Sequence, residues 1–212
     1  RAYTYDPAAP CPTTGGSNLT LPSGPYDQRE LLSRKDVLLF KSTTLDRPLE
    51  TTGNVRVKLF ISSNASDTDF TAKLLDVYPP GDDRHILVLE SIQRVKYRNG
   101  FDKPAPALTQ DEIVPVEIDL GSISWIFNEG HRLALLVSSS NYPHFEVNPN
   151  TGEDFPVKDK TRPANNSVHM SAKWPSALLV PVRMPELDSD KDGITDETEW
   201  EKGADLNDPN SN

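Results

Sequence analysis

Val55-Arg-Val-Lys-Leu-Phe-Ile-Ser62 sets Val55, Val57, Leu59 and Ile61 in alternation with Arg56, Lys58, Phe60 and Ser62. Successive side chains of a strand point to opposite faces, so this period of two specifies a strand with one face buried. The same reading extends outward along the chain. Asp36–Lys41 carries Val37-Leu38-Leu39-Phe40, and Phe70–Tyr78 alternates less cleanly before Pro79-Pro80-Gly81 ends it. His85–Arg98 is long and β-rich, and Val114–Leu120 puts Val116, Ile118 and Leu120 on one face. Arg132–Ser138 is a nearly continuous apolar run, as expected of a strand covered on both faces. Val168–Lys173 and Ala177–Arg183 complete the set. Strands separated by turn-rich spacers, with almost no helical periodicity, define an all-β fold: a β-sandwich, and more narrowly a jelly roll. Ser122–Glu129 reads instead as a short helical turn leading into Gly130, and Asn141–Pro163 as a long polar loop of the kind that often carries function. Residues 1–30 are broken by Pro7, Pro10, Pro12, Gly15, Gly16, Pro22, Gly24 and Pro25, which predicts an extended arm without regular structure.

A chain of 212 residues accommodates one large β domain, placed at 1–185, and a short appendage, placed at 186–212. Charge separates the two. From Glu186 to Asn212 ten acids against two bases give −8 of the chain's −10, so the main body carries only about −2. Neither part has the basic stripe that nucleic-acid binding requires. No apolar run approaches the roughly 18 residues of a transmembrane helix. The start at Arg1, with no leader peptide, reads as a fragment of something longer. The single Cys11 cannot form an internal disulfide.

The acidic tail has a specific pattern. Residues 188–199 read Asp-Ser-Asp-Lys-Asp-Gly-Ile-Thr-Asp-Glu-Thr-Glu, which fits a calcium loop without departure. Ca²⁺ takes 6–8 oxygens, so a loop that wraps it offers one at every second residue. Asp188, Asp190 and Asp192 supply the first three, Gly193 makes the sharp turn and Ile194 gives its carbonyl. Asp196 follows, and Glu199 can bind through both oxygens. Asp196–Lys202 reads as the exit helix, ended by Gly203. Extracellular loops of this kind work at about 10⁻⁴–10⁻³ M Ca²⁺, so the expected location is secreted or periplasmic.

Catalytic patterns are missing. There is no G-x-S-x-G nucleophile elbow, and Ser138, Ser139 and Ser140 follow a strand with no flanking glycine. None of His85, His131, His144 and His169 has a helical H-x-x-x-H partner, which excludes that kind of zinc site. His131 reads as structural and His144 as an ordinary loop residue. By this reading the chain has no catalytic residues and is not itself an enzyme.

Several segments together resemble one family: Tyr3-Thr-Tyr-Asp-Pro7, Gly15-Gly16, Gly24-Pro-Tyr-Asp-Gln28, Asp36-Val-Leu38, Asp67-Thr-Asp-Phe-Thr-Ala-Lys-Leu74, Val95-Lys-Tyr-Arg98, Gly130-His-Arg132, Val137-Ser-Ser-Ser-Asn-Tyr-Pro143 and Asn148-Pro-Asn-Thr-Gly152. Residues 1–183 look like the C-terminal, non-catalytic domain of the cocaine esterase/X-Pro dipeptidyl-peptidase serine hydrolases, shared by α-amino-acid ester hydrolases. The resemblance implies a galactose-binding-like jelly roll and an upstream α/β-hydrolase domain of the same polypeptide, whose cleft this domain helps to cover. By position, Leu19 and Leu21 would line an acyl pocket there or else pack against the sandwich. Asp67 and Asp69 read as turn-shaping residues. The tail departs from that family, and residues 188–212 resemble thrombospondin type 3 calcium repeats. Two other roles stay open: a carbohydrate-binding module using Trp125, Tyr142, Phe145 or Trp174, and a structural spacer whose only chemistry is calcium.

Overall fold

The computed structural model describes residues 1–153 and 160–182. The chain divides into two compact units, Arg1–Pro181 and Val182–Asn212. The calcium loop at 188–199 and its expected exit helix lie outside the described residues.

Among the described residues nine strands build the first unit: β1 (Ala2–Tyr5), β2 (Leu38–Lys41), β3 (Leu49–Ser63), β4 (Asp69–Val77), β5 (His85–Arg94), β6 (Val114–Phe127), β7 (Arg132–Ser138), β8 (Ala164–His169) and β9 (Ala177–Leu179). All pair antiparallel, in two sheets. One runs β1-β8-β3-β6 with β9 also on β3, and the other runs β2-β7-β4-β5. The inward faces meet in one core that includes Val55, Val57, Leu59 and Ile61 of β3 and Phe70, Ala72 and Leu74 of β4. Val116 and Ile118 of β6 and Leu133, Leu135 and Val137 of β7 complete its centre. The structure is thus an all-β sandwich, as the alternation in Val55–Ser62 predicts.

The second sheet is covered on its outer face too. Leu75, Val77, Leu87, Ala134 and Leu136 form a second apolar cluster with Cys11 and Leu31, which belong to the N-terminal arm and to a 3-10 helix at Arg29–Ser33. Burial on both faces explains the unbroken apolar run of β7.

Four expectations are corrected. The segment Ser122–Glu129 is not a helical turn: β6 continues through it to Phe127. A bulge lies between, where Val55 pairs with Gly121 but Arg56 pairs with Asp119. It shifts the inward set from Val116, Ile118 and Leu120 to Ile123, Trp125 and Phe127. The arm is not wholly irregular, because Ala2–Tyr5 pairs with Ala164–Ser167 and buries Tyr3 and Tyr5. The late strands also shift: β8 covers Ala164–His169 rather than 168–173, and β9 ends at Leu179 rather than 183. Val95–Tyr97, expected as strand, is a single 3-10 turn.

Candidate functional site

The arm crosses the outer face of the second sheet and is pinned there by buried polar groups. Ser138, Ser139, Ser140 and Asn141 leave the end of β7 fully buried. Buried hydroxyls need partners, and each serine finds one. Ser138 Oγ donates to the carbonyl of Asp36 at 2.8 Å, and Ser139 Oγ shares a hydrogen bond with the Tyr3 hydroxyl at 2.7 Å. Ser140 Oγ accepts the Cys11 N–H at 2.8 Å. The Tyr142 N–H then donates to Cys11 O, and the Thr13 N–H donates back to Tyr142 O, at 2.9 and 2.7 Å. Burial pushes the Tyr3 phenol and the Cys11 thiol above their ordinary ranges, so both stay neutral. The serine run is therefore an arm-holding device.

Beyond Thr13 the arm folds back on itself. Gly16 and Gly24 exchange two backbone hydrogen bonds, at 2.9 and 3.1 Å. Gln28, 1 % exposed, ties the two legs by donating from Nε2 to Thr14 O and Tyr26 O. The tip is braced by Asn18, whose Oδ1 accepts the N–H groups of Thr20 and Leu21 while its Nδ2 donates to Gly15 O. This loop holds Leu19 fully exposed and Leu21 half-buried. Tyr26 and Tyr142 are also exposed.

Under the hairpin lies a cleft of about 280 Å³ lined by Gly16, Ser17, Leu89, Glu90, Leu120 and Trp125, among others. Glu90 is its charged residue. Its carboxylate pairs with Lys73 of β4 and accepts from Asn141 Nδ2 at 3.2 Å, with His144 Nδ1 at 3.1 Å from its other oxygen. His144, expected to be an ordinary loop residue, is thus tied to the buried pair and stacked on Phe145.

The long loop after β7 is fixed at a second point. Asn148 Nδ2 donates to Asp67 Oδ2 at 3.2 Å and to Asp69 Oδ1 at 2.7 Å, while its Oδ1 accepts the Asn150 N–H. Arg94 Nε donates to Asp69 at 3.1 Å, and Asp67 also accepts the Lys96 N–H at 2.8 Å. Asp67 and Asp69 do more than shape a local turn: they hold segments distant in the chain. Burial raises the Asp69 carboxyl above its usual range, against the pull of Arg94 and Asn148.

Three of the aromatics considered for a sugar site pack on other side chains. Trp125 packs on the core and donates Nε1–H to Asp76 at 3.3 Å. Trp174 lies against Phe60, and Phe145 against His144. His131 is structural, with Nδ1 at 2.7 Å from the buried Asp76 carboxylate. Among the described residues no group of three or more His, Cys, Asp or Glu side chains could hold a metal ion.

The fold is a two-sheet sandwich in which Ser138, Ser139, Ser140 and His131 are engaged in structural contacts. The comparisons give its family. Residues 2–179 match the X-Pro dipeptidyl-peptidase C-terminal non-catalytic domain, and the chain belongs to that family. It is 41% identical over 184 residues to the cocaine esterase of Rhodococcus sp. (strain MB1 Bresler), covering 85% of this chain and 32% of that protein. A putative serine esterase of Mycobacterium bovis is 33% identical over 140 residues, covering 58% of this chain and 22% of that one. Among solved structures, an aminopeptidase from a marine-sediment Thaumarchaeota archaeon superposes with a TM-score of 0.77 at 29% identity, covering 87% of this chain and 33% of that one. An α-amino acid ester hydrolase gives a TM-score of 0.77 at 30% identity, covering 86% and 32%. The chain therefore spans about a third or less of the length of these relatives.

Proposed function

We propose that this chain is the jelly-roll accessory domain of a secreted serine hydrolase acting on esters, amides or X-Pro peptides. In this reading it packs on an α/β-hydrolase domain upstream in the same polypeptide and lends its arm hairpin to the rim of that domain's cleft. One observation carries the reading: a braced loop holds Leu19 out in solvent, which has no use in an isolated domain but suits an anchor in an apolar site. The family's hydrolase relatives, each about three times the length of the matched segment or longer, fit a domain that works as part of a larger chain. The polypeptide as encoded, hydrolase domain included, tests it. Leu19→Asp should raise KM for an apolar acyl ester while leaving the fold intact. Unchanged kinetics in Leu19→Asp and Leu21→Asp would remove the arm from the cleft.

The tail is proposed to bind one Ca²⁺ through Asp188, Asp190, Asp192, the Ile194 carbonyl, Asp196 and Glu199. The donor set suits the ion, being all oxygen and strongly anionic. Calorimetric titration should give one site, abolished in Asp190→Ala or Glu199→Ala. Equal Ca²⁺ binding by those variants refutes the assignment.

A further inference from the structure

Burying an ion pair gains little over an apolar pair of the same volume, so a buried pair needs a reason besides stability. The side chains of Lys73 and Glu90 are 0% and 2% exposed. Their neighbours supply the reason. At Glu90 four segments meet: Lys73 of β4, its own strand β5, Asn141 and His144 of the loop after β7, and Gly16 of the arm. Glu90 Oε1 occupies the place where a Cβ on Gly16 would fall. Gly16 also has a φ of +87°, so glycine alone allows the arm to descend onto the carboxylate in this way. Each leg of the hairpin has other ties, from Thr13 to Tyr142 and from Gln28 to Thr14 and Tyr26. The contact with Glu90 falls directly under the Gly16–Gly24 rung from which the tip springs.

We propose that the Lys73–Glu90 pair positions the 17–23 tip, setting the height and tilt at which Leu19 is presented. The pair is a positioning device and touches no substrate. Lys73 fixes the carboxylate from below, while Asn141 and His144 fix it from the side of the loop. Asn141 spends its amide on this task although its Oδ1 is left buried without a partner among the described residues. The consequence for catalysis rests on the reading of the tip as part of the cleft rim, whereas the consequence for tip order does not.

Two measurements separate these. The first is amide hydrogen exchange in the 212-residue chain, read at Gly16 and Gly24, whose N–H groups form the rung. The double variant Lys73→Met/Glu90→Leu removes both charges and keeps the sheet apolar and filled. The unpaired Asn141 amide should lower its melting temperature by several degrees without unfolding it, while Gly16 and Gly24 exchange about tenfold faster or more relative to the β4–β5 ladder. Wild-type protection at both glycines overturns the proposal. If the double variant fails to fold, Glu90→Gln is read at the same two amides: faster exchange supports the proposal and wild-type exchange overturns it. The second measurement is steady-state kinetics on the polypeptide with its hydrolase domain. There the double variant should raise KM about tenfold with kcat within about twofold. Loosened glycines with an unchanged KM leave the positioning role standing and refute the cleft-rim reading.

Discussion

Replacing Asn148 with alanine should cost about 3–4 kcal/mol, most of it through two buried carboxylates. Asn148 donates to Asp67 and Asp69, which are 4% and 2% exposed, and accepts from Asn150. Hydrogen bonds to charged groups are worth about 1.5–3 kcal/mol and neutral ones about 1 kcal/mol. Neither carboxylate would be left bare, because Asp67 keeps the Lys96 N–H and Asp69 keeps Arg94. The lower end of the range therefore applies to each, and the Asn150 amide adds its share. With a urea m-value of about 2 kcal/mol per molar, the midpoint should fall by about 1.5–2 M. Hydrogen exchange should show the loop around 141–153 opening first. The deficit should also depend on pH. Burial already raises the Asp69 carboxyl, so its stabilising protonated form is fully present below the ordinary value near 3.8 and is lost as pH rises through the raised value. Removing a donor to the carboxylate raises it further, so Asn148→Ala should lose less stability at pH 4 than at pH 7. A loss under about 1 kcal/mol at pH 7, or one that grows on acidification, refutes the reasoning.

His85 should titrate below the ordinary imidazole value near 6.5, because burial lowers it against the opposing pull of the Asp83 carbonyl. With Nδ1 at 2.8 Å from that carbonyl and Nε2 buried without a partner among the described residues, the neutral ring is favoured. Its stabilising contribution is fully present above about pH 6.5 and is lost as pH falls through the lowered value; an NMR titration at or above 6.5 would contradict this. Cys11, buried and with its thiol pushed up, should resist a thiol reagent at pH 8 until denaturant is added. Stoichiometric labelling of the native chain within minutes would show that the arm opens freely. Leu74→Ala removes a side chain at 0% exposure in the centre of the core and should cost about 2–5 kcal/mol in urea unfolding. A cost below about 1 kcal/mol would mean that the two sheets close over the gap.

The sandwich was readable because β3 and β7 carry one signal each, strict alternation and unbroken apolarity, and burial alone produces both. Where a backbone irregularity intervenes, the signal fails. The bulge at Gly121 exchanges the parity of the inward residues midway along β6, so Ser122–Phe127 looks aperiodic although each half alternates. β8 begins Ala-Asn-Asn-Ser, residues with little strand preference, because Asn166 faces a polar interior and bonds Ser63 and Ser139. The arm was legible as a break in regular structure through its prolines and glycines, but the Gly16–Gly24 hairpin within it was not. Nor was its seat, since Lys73, Glu90, Asn141 and His144 are scattered along the chain and become one cluster only after β4, β5 and β7 pair. Lys73 at the centre of β4, flanked by Ala72 and Leu74, was the available clue.

The pairing of β1 with β8, and of β8 with β3, has a kinetic consequence. The β4–β5 ladder can form as soon as those residues emerge, because its partners are close in sequence. The first sheet cannot, since Tyr5 must find Ala164 and Ser62 must find Ser167. Such non-local pairing makes folding slow, on the order of milliseconds to seconds, because loop-closure entropy is paid before contacts repay it. On a ribosome the arm would wait, unseated and with Cys11 bare, until the Ser138–Asn141 run and then β8 leave the tunnel. Throughout that interval a neighbouring nascent chain could offer its own β8 to Ala2–Tyr5, so strand exchange between copies is the misassembly this topology invites.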